Sequence, residues 1–586
     1  MQRRQFLKSV AAFAGAVSCG SLLSNCATKA GKPNVLLILT DDQGWGDVTS
    51  HNNPRVHTPT MDRLAAEGAR FDRFYVSPVC APTRASLLSG RYHPRTGVHG
   101  VTRDYETMRA DEVTIAEILK QNGYATAAFG KWHNGAHYPQ NPNGQGFDEF
   151  VGFCAGHWNN YFSTKLERNG VEFKSKGYIA DYLTDEAIRF IEKNKEKPFF
   201  CYVPYNPPHS PFQAPDAYFE KYKAQGMDDE LACVYAMCEN LDDNIARLLD
   251  TLREQRLTDN TIVLFITDNG PNTDRYNGDM RGRKGSPHEG GSRVPCFIRW
   301  PEHIKPGEVI KPIAAHIDIL PTLVELLALP KPETKPLDGV SLAPLLADPN
   351  AEWPDRMLFG KWSRAGSVRT QRYRLIVAPD GVELYDMQND PGEQTDISVS
   401  APDVTKKLKD AYDAWWTDVS KDGFDPIPTS IGYDEMPEVV LSGHEAFLYP
   451  KIGDGISYHG KAGWANDWVT NWTSTKAYPH WPIEIVRDGD YEVSIDYVCA
   501  PENVGVRFRV EIGKASIGGH ITEPHNPPHL PSPDRVKRKE VYEKEWKRLT
   551  LGTVRLARGK ADLKIILDSI PGKQAMDVKA VRVKKL

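Results

Sequence analysis

Two apolar runs without polar interruption, residues 35–39 (Val-Leu-Leu-Ile-Leu) and 262–266 (Ile-Val-Leu-Phe-Ile), are too short for helices. Lacking the alternation of a half-exposed strand, each predicts a strand buried on both faces of a largely parallel sheet. A further apolar stretch, residues 198–204, predicts another strand. Around these runs, apolar positions recur at helical spacing in residues 60–68, 113–122, 183–193, 235–253 and 317–327. Strands alternating with helices predict an α/β domain over residues 31–338, its largely parallel central sheet flanked by helices. Beyond Asp338-Gly339 the pattern shifts to short strands at 367–377 and 382–384 and a helix at 404–416, predicting a smaller antiparallel α+β subdomain over 339–420. The polar stretch 421–434 reads as a linker. Residues 435–586 then show alternation at 491–497, 505–512, 546–556, 561–567 and 576–583, with turn residues between and no helical period. That pattern predicts a β-sandwich of jelly-roll type.

A chain of 586 residues is too long for one core. Its formal net charge of -5 argues against nucleic acid as a partner, so any anion must meet a local basic pocket. Arg3-Arg4 followed by the apolar residues 10–23 predicts a twin-arginine export signal within residues 1–30, too short to span a bilayer as a mature helix. Leu23-Ser24-Asn25-Cys26 is similar to a lipoprotein processing site, which would make Cys26 a lipid anchor; alternatively Cys26 leaves with the signal. The expected location is the periplasm or the outer cell surface. The nine cysteines form no CxxC pair and no disulfide scaffold.

The two principal apolar runs end alike, in Thr40-Asp41-Asp42-Gln43-Gly44 and Thr267-Asp268-Asn269-Gly270. Acidic or amide side chains therefore sit just past the carboxyl ends of two core strands, where open α/β sheets place their ligands. Each pair alone is an ordinary turn former. Together, Asp41, Asp42, Asp268 and Asn269 form an oxygen set suited to Ca²⁺, less well to Mg²⁺, and not to Zn²⁺. Pro82 in Cys80-Ala81-Pro82-Thr83-Arg84 fits the first turn of a helix, which puts Cys80 at its amino end, where free N–H groups favour an anion.

Cys80-Ala81-Pro82-Thr83-Arg84, continuing into Ala85-Ser86-Leu87-Leu88-Ser89-Gly90-Arg91, resembles the signature of the type I, formylglycine-dependent sulfatases of the alkaline phosphatase superfamily. The resemblance implies that a separate maturation enzyme oxidises Cys80 to an aldehyde. Chemistry favours this independently, because a hard cation takes a thiolate poorly, whereas a hydrated aldehyde offers two oxygens. The oxidised residue would then join the four oxygen ligands, with Arg84 holding the modified side chain. Residues 123–133, ending in Gly130-Lys131-Trp132-His133, resemble the second sulfatase signature, with Phe129 where a smaller residue is usual. By that resemblance Lys131 and His133 contact the aldehyde and the sulfate, and His133 is the base. His209, in Asn206-Pro207-Pro208-His209, and Lys284, in Arg281-Gly282-Arg283-Lys284-Gly285, are cast as sulfate binders, with His209 the proton donor. His157, followed by Trp158 and Asn159, is a weaker candidate for the substrate pocket and competes with simple packing.

The resemblance covers residues 32–419 and implies an exported, calcium-dependent sulfatase. The last domain is similar to carbohydrate-binding modules, which points to a sulfated glycan as substrate. Its Trp464, Trp468, Trp472 and Trp481 could stack on sugars, although such residues more often fill a sandwich core. The charged run 535–548 is expected to be a solvated strand face. Two alternatives stay open: a phosphonate or phosphate ester hydrolase of the same superfamily, and a catalytically dead glycan-binding surface protein.

Overall fold

The structure is a computed structural model that describes residues 31–460 and 462–586; the expected export signal and Cys26 lie outside the described residues. The two apolar runs form strands Asn34–Thr40 and Thr261–Thr267, buried throughout and paired in parallel. Phe199–Pro204 pairs with the other side of Asn34–Thr40, followed by Ala125–Lys131 and Glu149–Phe153, all parallel. These five strands are the middle of a ten-stranded sheet, extended on both sides by strands joined antiparallel. Their lack of alternation has a direct cause. Leu36 and Ile38 pack into one core with the helices Ile179–Asn194 and Asp229–Glu254, while Val35, Leu37 and Leu39 pack into the opposite core with Cys80–Ser89, Ile115–Gln121 and Ile319–Leu326. The helix Asp229–Glu254 begins six residues before the predicted start, because Asp228 caps it by accepting a hydrogen bond from the Leu231 N–H at 2.8 Å.

The smaller subdomain is an antiparallel sheet of Leu358–Trp362, Ala365–Arg369, Tyr373–Ala378 and Gly381–Asp386, covered by the helix Pro402–Val419. The single strand expected over 367–377 is in fact two. The polar residues 370–372 turn the chain, and the Thr370 hydroxyl accepts from the Tyr373 N–H at 2.9 Å. Arg374 binds this sheet to the α/β domain. It is 1% exposed and donates to Glu289 Oε2 at 2.8 Å and to Ser292 Oγ at 2.6 Å, while Tyr75 donates to Glu289 Oε1 at 2.7 Å.

The C-terminal region forms two six-stranded, mainly antiparallel sheets around one apolar core. Trp472 and Trp481 lie inside that core and Trp468 is fully buried, so of the four candidate tryptophans only Trp464 is exposed. Two expectations change here. Thr429–Ile431, within the stretch read as linker, is a strand paired in parallel with Tyr478–Ile485. The charged run 535–548 is not a solvated strand face. Residues 532–543 form an irregular segment laid against the α/β domain, and only from residue 547 does a strand, Lys547–Leu556, begin. Its start meets the α/β domain: Arg535 pairs with Asp216 and stacks over Phe219, and Val536 packs against the α/β core, while Lys537 and Lys539 stay exposed.

Removing one member of a buried ion pair leaves its partner uncompensated. Arg374→Met should therefore lower unfolding stability by about 3–5 kcal/mol, read as a shift in denaturant midpoint. A change below about 1 kcal/mol, the level of an exposed pair, would show that this network carries little of the interface.

Candidate active site

The carboxyl ends of the parallel strands deliver the site. Asp41 and Asp42 follow the strand Asn34–Thr40, Asp268 and Asn269 follow Thr261–Thr267, and Lys131 ends Ala125–Lys131. Cys80 is the first residue of the helix Cys80–Ser89, with Val79 as its extended N-cap and Pro82 in the first turn. His209 follows the strand Phe199–Pro204, and the Lys284 N–H bonds the Pro271 carbonyl at 3.0 Å.

Three buried carboxylates each meet a cation from a different segment. Lys131 Nζ lies 2.6 Å from Asp41 Oδ2, Lys284 Nζ 2.6 Å from Asp42 Oδ1, and Arg84 Nη2 2.8 Å from Asp268 Oδ2. Arg84 also donates to the Lys131 carbonyl at 2.8 Å, so it fixes the frame around Cys80. Burial alone would raise the Asp41 carboxyl, but Lys131, aided by His209, Arg84 and Lys284, holds it well below the usual carboxylate range. Asp42 is likewise lowered, with burial opposed by Lys284 and His209. Burial pulls the Lys284 ammonium down, and Asp42 together with Cys80, Asp41 and Asp268 outweighs it to give a net upward shift.

These ion pairs leave oxygens over. Asp41 Oδ1, Asp42 Oδ2 and Asn269 Oδ1 are buried and have no hydrogen-bond partner. Ligand atoms of Asp41, Cys80 and Asp268 lie within 4.8 Å of one another, as do those of Asp41, Asp42 and His209. Buried polar atoms are almost always partnered, so three orphaned oxygens converging from two strand ends fit a hard divalent cation. The Cys80 thiol is the one soft donor in that set.

The histidines divide into two environments. His133 has φ 64, in the left-handed region, as has Asp42. Its Nε2 lies 3.1 Å from the Val101 carbonyl, which assigns the proton to Nε2, and its Nδ1 is buried and unpartnered. Burial, then the Lys131 charge, pushes its pKa well down, so the ring is neutral with a free lone pair on Nδ1. His209 donates from Nδ1 to the Ser210 carbonyl at 2.6 Å and directs Nε2 to Asp42 Oδ2 at 3.6 Å. His157 is buried and lies parallel to His209, with ring centroids 6.1 Å apart, which places it beside the predicted constellation. The side chains of His209 and Lys284 are 12% and 21% exposed, whereas those of Asp41, Asp42, Arg84 and Lys131 are at most 1% exposed. His209 and Lys284 are thus the least covered of these six side chains.

All the predicted residues are thus brought to one strand-edge region. Sequence reasoning missed Arg275, which is buried against Asp47 at 2.7 Å and donates to the Asp42 carbonyl at 2.7 Å, and Tyr161, whose hydroxyl donates to the His209 carbonyl at 2.8 Å. Both lie in polar loops without periodicity, so only their partners reveal them.

The family model described as Sulfatase matches residues 33–329, and a second, described as N-sulphoglucosamine sulphohydrolase, C-terminal, matches residues 284–415. The Uncharacterized sulfatase YdeN of Escherichia coli (strain K12) is 33% identical over 387 residues, which cover 56% of this chain and 68% of that protein. N-acetylgalactosamine-6-sulfatase of Homo sapiens is 31% identical over 351 residues, covering 54% and 66% respectively. Among solved structures, Ps i-CgsB in complex with k-i-k-neocarrahexaose superposes with a TM-score of 0.64 at 30% identity, over 68% of this chain and 95% of that one.

Adding a divalent cation to chelator-treated protein should raise its melting temperature, by about 2.7 kcal/mol of apparent stability at a hundredfold excess over Kd. The double variant Asp41→Ala/Asn269→Ala should show no such rise. A full rise in that variant would remove the two residues from the cation site.

Proposed function

Since the chain belongs to the sulfatase family, we propose that it hydrolyses sulfate esters of a carbohydrate, using formylglycine made from Cys80 by a separate maturation enzyme. One observation carries this reading: a cysteine at a helix amino end clusters with Asp41 and Asp268, at a site where Asp41, Asp42 and Asn269 each keep one buried oxygen without a partner. The similarity to proteins named for an amino-sugar sulfatase and to one solved with a neocarrahexaose supports a sulfated saccharide as the substrate class. Ca²⁺ suits an all-oxygen set of several protein ligands better than Mg²⁺, which keeps several waters. Asp41, Asp42, Asp268, Asn269 and residue 80 would hold it, and it would supply fixed positive charge beside the reacting oxygens.

As a hydrated aldehyde, residue 80 would provide one hydroxyl that attacks sulfur as its proton passes to the neighbouring Asp268 carboxylate, and a second whose deprotonation expels sulfate and restores the C=O bond. Lys131 and Lys284 stabilise the sulfate oxygens as the bond from sulfur to the leaving oxygen breaks. His209 Nε2 protonates that oxygen, so the sugar departs as an alcohol. His133 Nδ1, with its free lone pair, accepts the proton of the second hydroxyl. Arg84 holds Asp268 and the Lys131 carbonyl in place beneath residue 80. Sulfate esters hydrolyse very slowly unaided, so these groups together must lower the barrier on the order of 15–20 kcal/mol. Residues 1–30 would direct export, with Cys26 as a lipid anchor, and the folded chain could be oxidised before it leaves the cytoplasm.

Mass spectrometry of the peptide containing Cys80, from protein co-expressed with a maturation enzyme, should show an aldehyde in place of the thiol. Cys80→Ala should lower kcat/KM for a sulfate ester by about 10⁴-fold or more. Full activity in Cys80→Ala, or in protein with an unmodified thiol, would refute the covalent mechanism.

A further inference from the structure

The irregular segment 532–543 of the sandwich reaches the histidine side of the site through a continuous hydrogen-bonded path. Arg538, whose side chain is 1% exposed, donates from Nε to Asp534 Oδ2 at 2.8 Å and from Nη2 to Asp534 Oδ1 at 2.6 Å. Its Nη1 donates to the Asn159 carbonyl. Gln213 Nε2 donates to Asp534 Oδ1 at 2.7 Å, and Gln213 Oε1 accepts the Tyr161 N–H at 2.8 Å. The Tyr161 hydroxyl then donates to the carbonyls of His209 and Ser210, at 2.8 and 3.0 Å. Glu540 accepts the Ser210 hydroxyl, and Asn466 Nδ2 donates to the His157 carbonyl at 2.8 Å. Both substrate-side histidines are thus held from a domain that starts more than two hundred residues later. Asp41, Asp42, Asp268 and Lys131 instead hang on the parallel sheet itself.

We propose that Arg538 is a positioning residue for His209, and that the sandwich completes the active site by locking the proton donor while leaving the metal-binding half independent. The inference rests on the reading of His209 as the donor to the departing alcohol. A buried guanidinium engaging a carboxylate through two parallel N–H bonds is a geometric lock that an ammonium cannot reproduce. A donor misplaced by about 1 Å can lose some hundredfold in rate. The loss would fall on esters whose leaving group needs a proton. A nitrophenolate departs without one.

The test uses full-length, matured protein with phenyl sulfate and 4-nitrophenyl sulfate as the paired esters. Arg538→Met should lower kcat for phenyl sulfate by about 30-fold or more, with KM for either ester and kcat for 4-nitrophenyl sulfate within about threefold of wild type. Arg538→Lys should recover only part of the loss. A crystal structure of Arg538→Met supplies a readout that needs no turnover: His209 should shift relative to Asp42 while Lys131 and Asp268 stay in place. Equal loss on both esters, no loss on either, or an unmoved His209 would overturn the proposal. If Arg538→Met does not fold, Asp534→Asn, which keeps the shape but removes the charge, carries the same criteria. These outcomes are separate from failure of the sulfatase mechanism, which the state of residue 80 decides.

Discussion

Three carboxylates are buried at the carboxyl edge of a parallel sheet, and each needs a cation within contact distance. A buried charge without a partner costs several kcal/mol, so this requirement dictates much of what surrounds Asp41, Asp42 and Asp268. Lys131 comes from a neighbouring strand end, Arg84 from a helix and Lys284 from a loop, and each closes one ion pair. Five segments of the chain are fixed by those contacts.

The balance is even for charge but not for hydrogen bonding. Three carboxylates face three cations, while three oxygens remain without partners. A divalent cation would satisfy the oxygens and leave positive charge over, which suits an anionic ester and its sulfate product. The amino end of the Cys80–Ser89 helix adds to that field. The left-handed backbone of Asp42 and His133 costs on the order of 1–3 kcal/mol at each residue, and the dense buried contacts around them over-determine it.

The sandwich changes meaning once its contacts are known. Its tryptophans mainly fill its own core and give little surface for sugar stacking. Its irregular segment does more, because Arg535 pairs with Asp216 and Arg538 and Glu540 hydrogen-bond Asn159 and Ser210 of the α/β domain. The α/β domain thereby gains a wall beside His157 and His209 that its own residues do not supply.

The α/β sheet, the strand ends that carry Asp41, Asp42, Asp268 and Asn269, and the helix start at Cys80 are legible in the linear chain. These follow from local rules: continuous apolar runs mark strands covered on both faces, and proline marks a first helical turn. The motifs also marked Lys131, His133, His209 and Lys284. Folding alone settles which carboxylate each cation neutralises, that Arg275 and Tyr161 support the site, that residues 429–431 join the sandwich, and that residues 532–543 brace the histidines. Those contacts join residues far apart in sequence through polar atoms. Polar residues in loops carry no periodicity, so nothing in the linear pattern records whom they meet until the chain has folded.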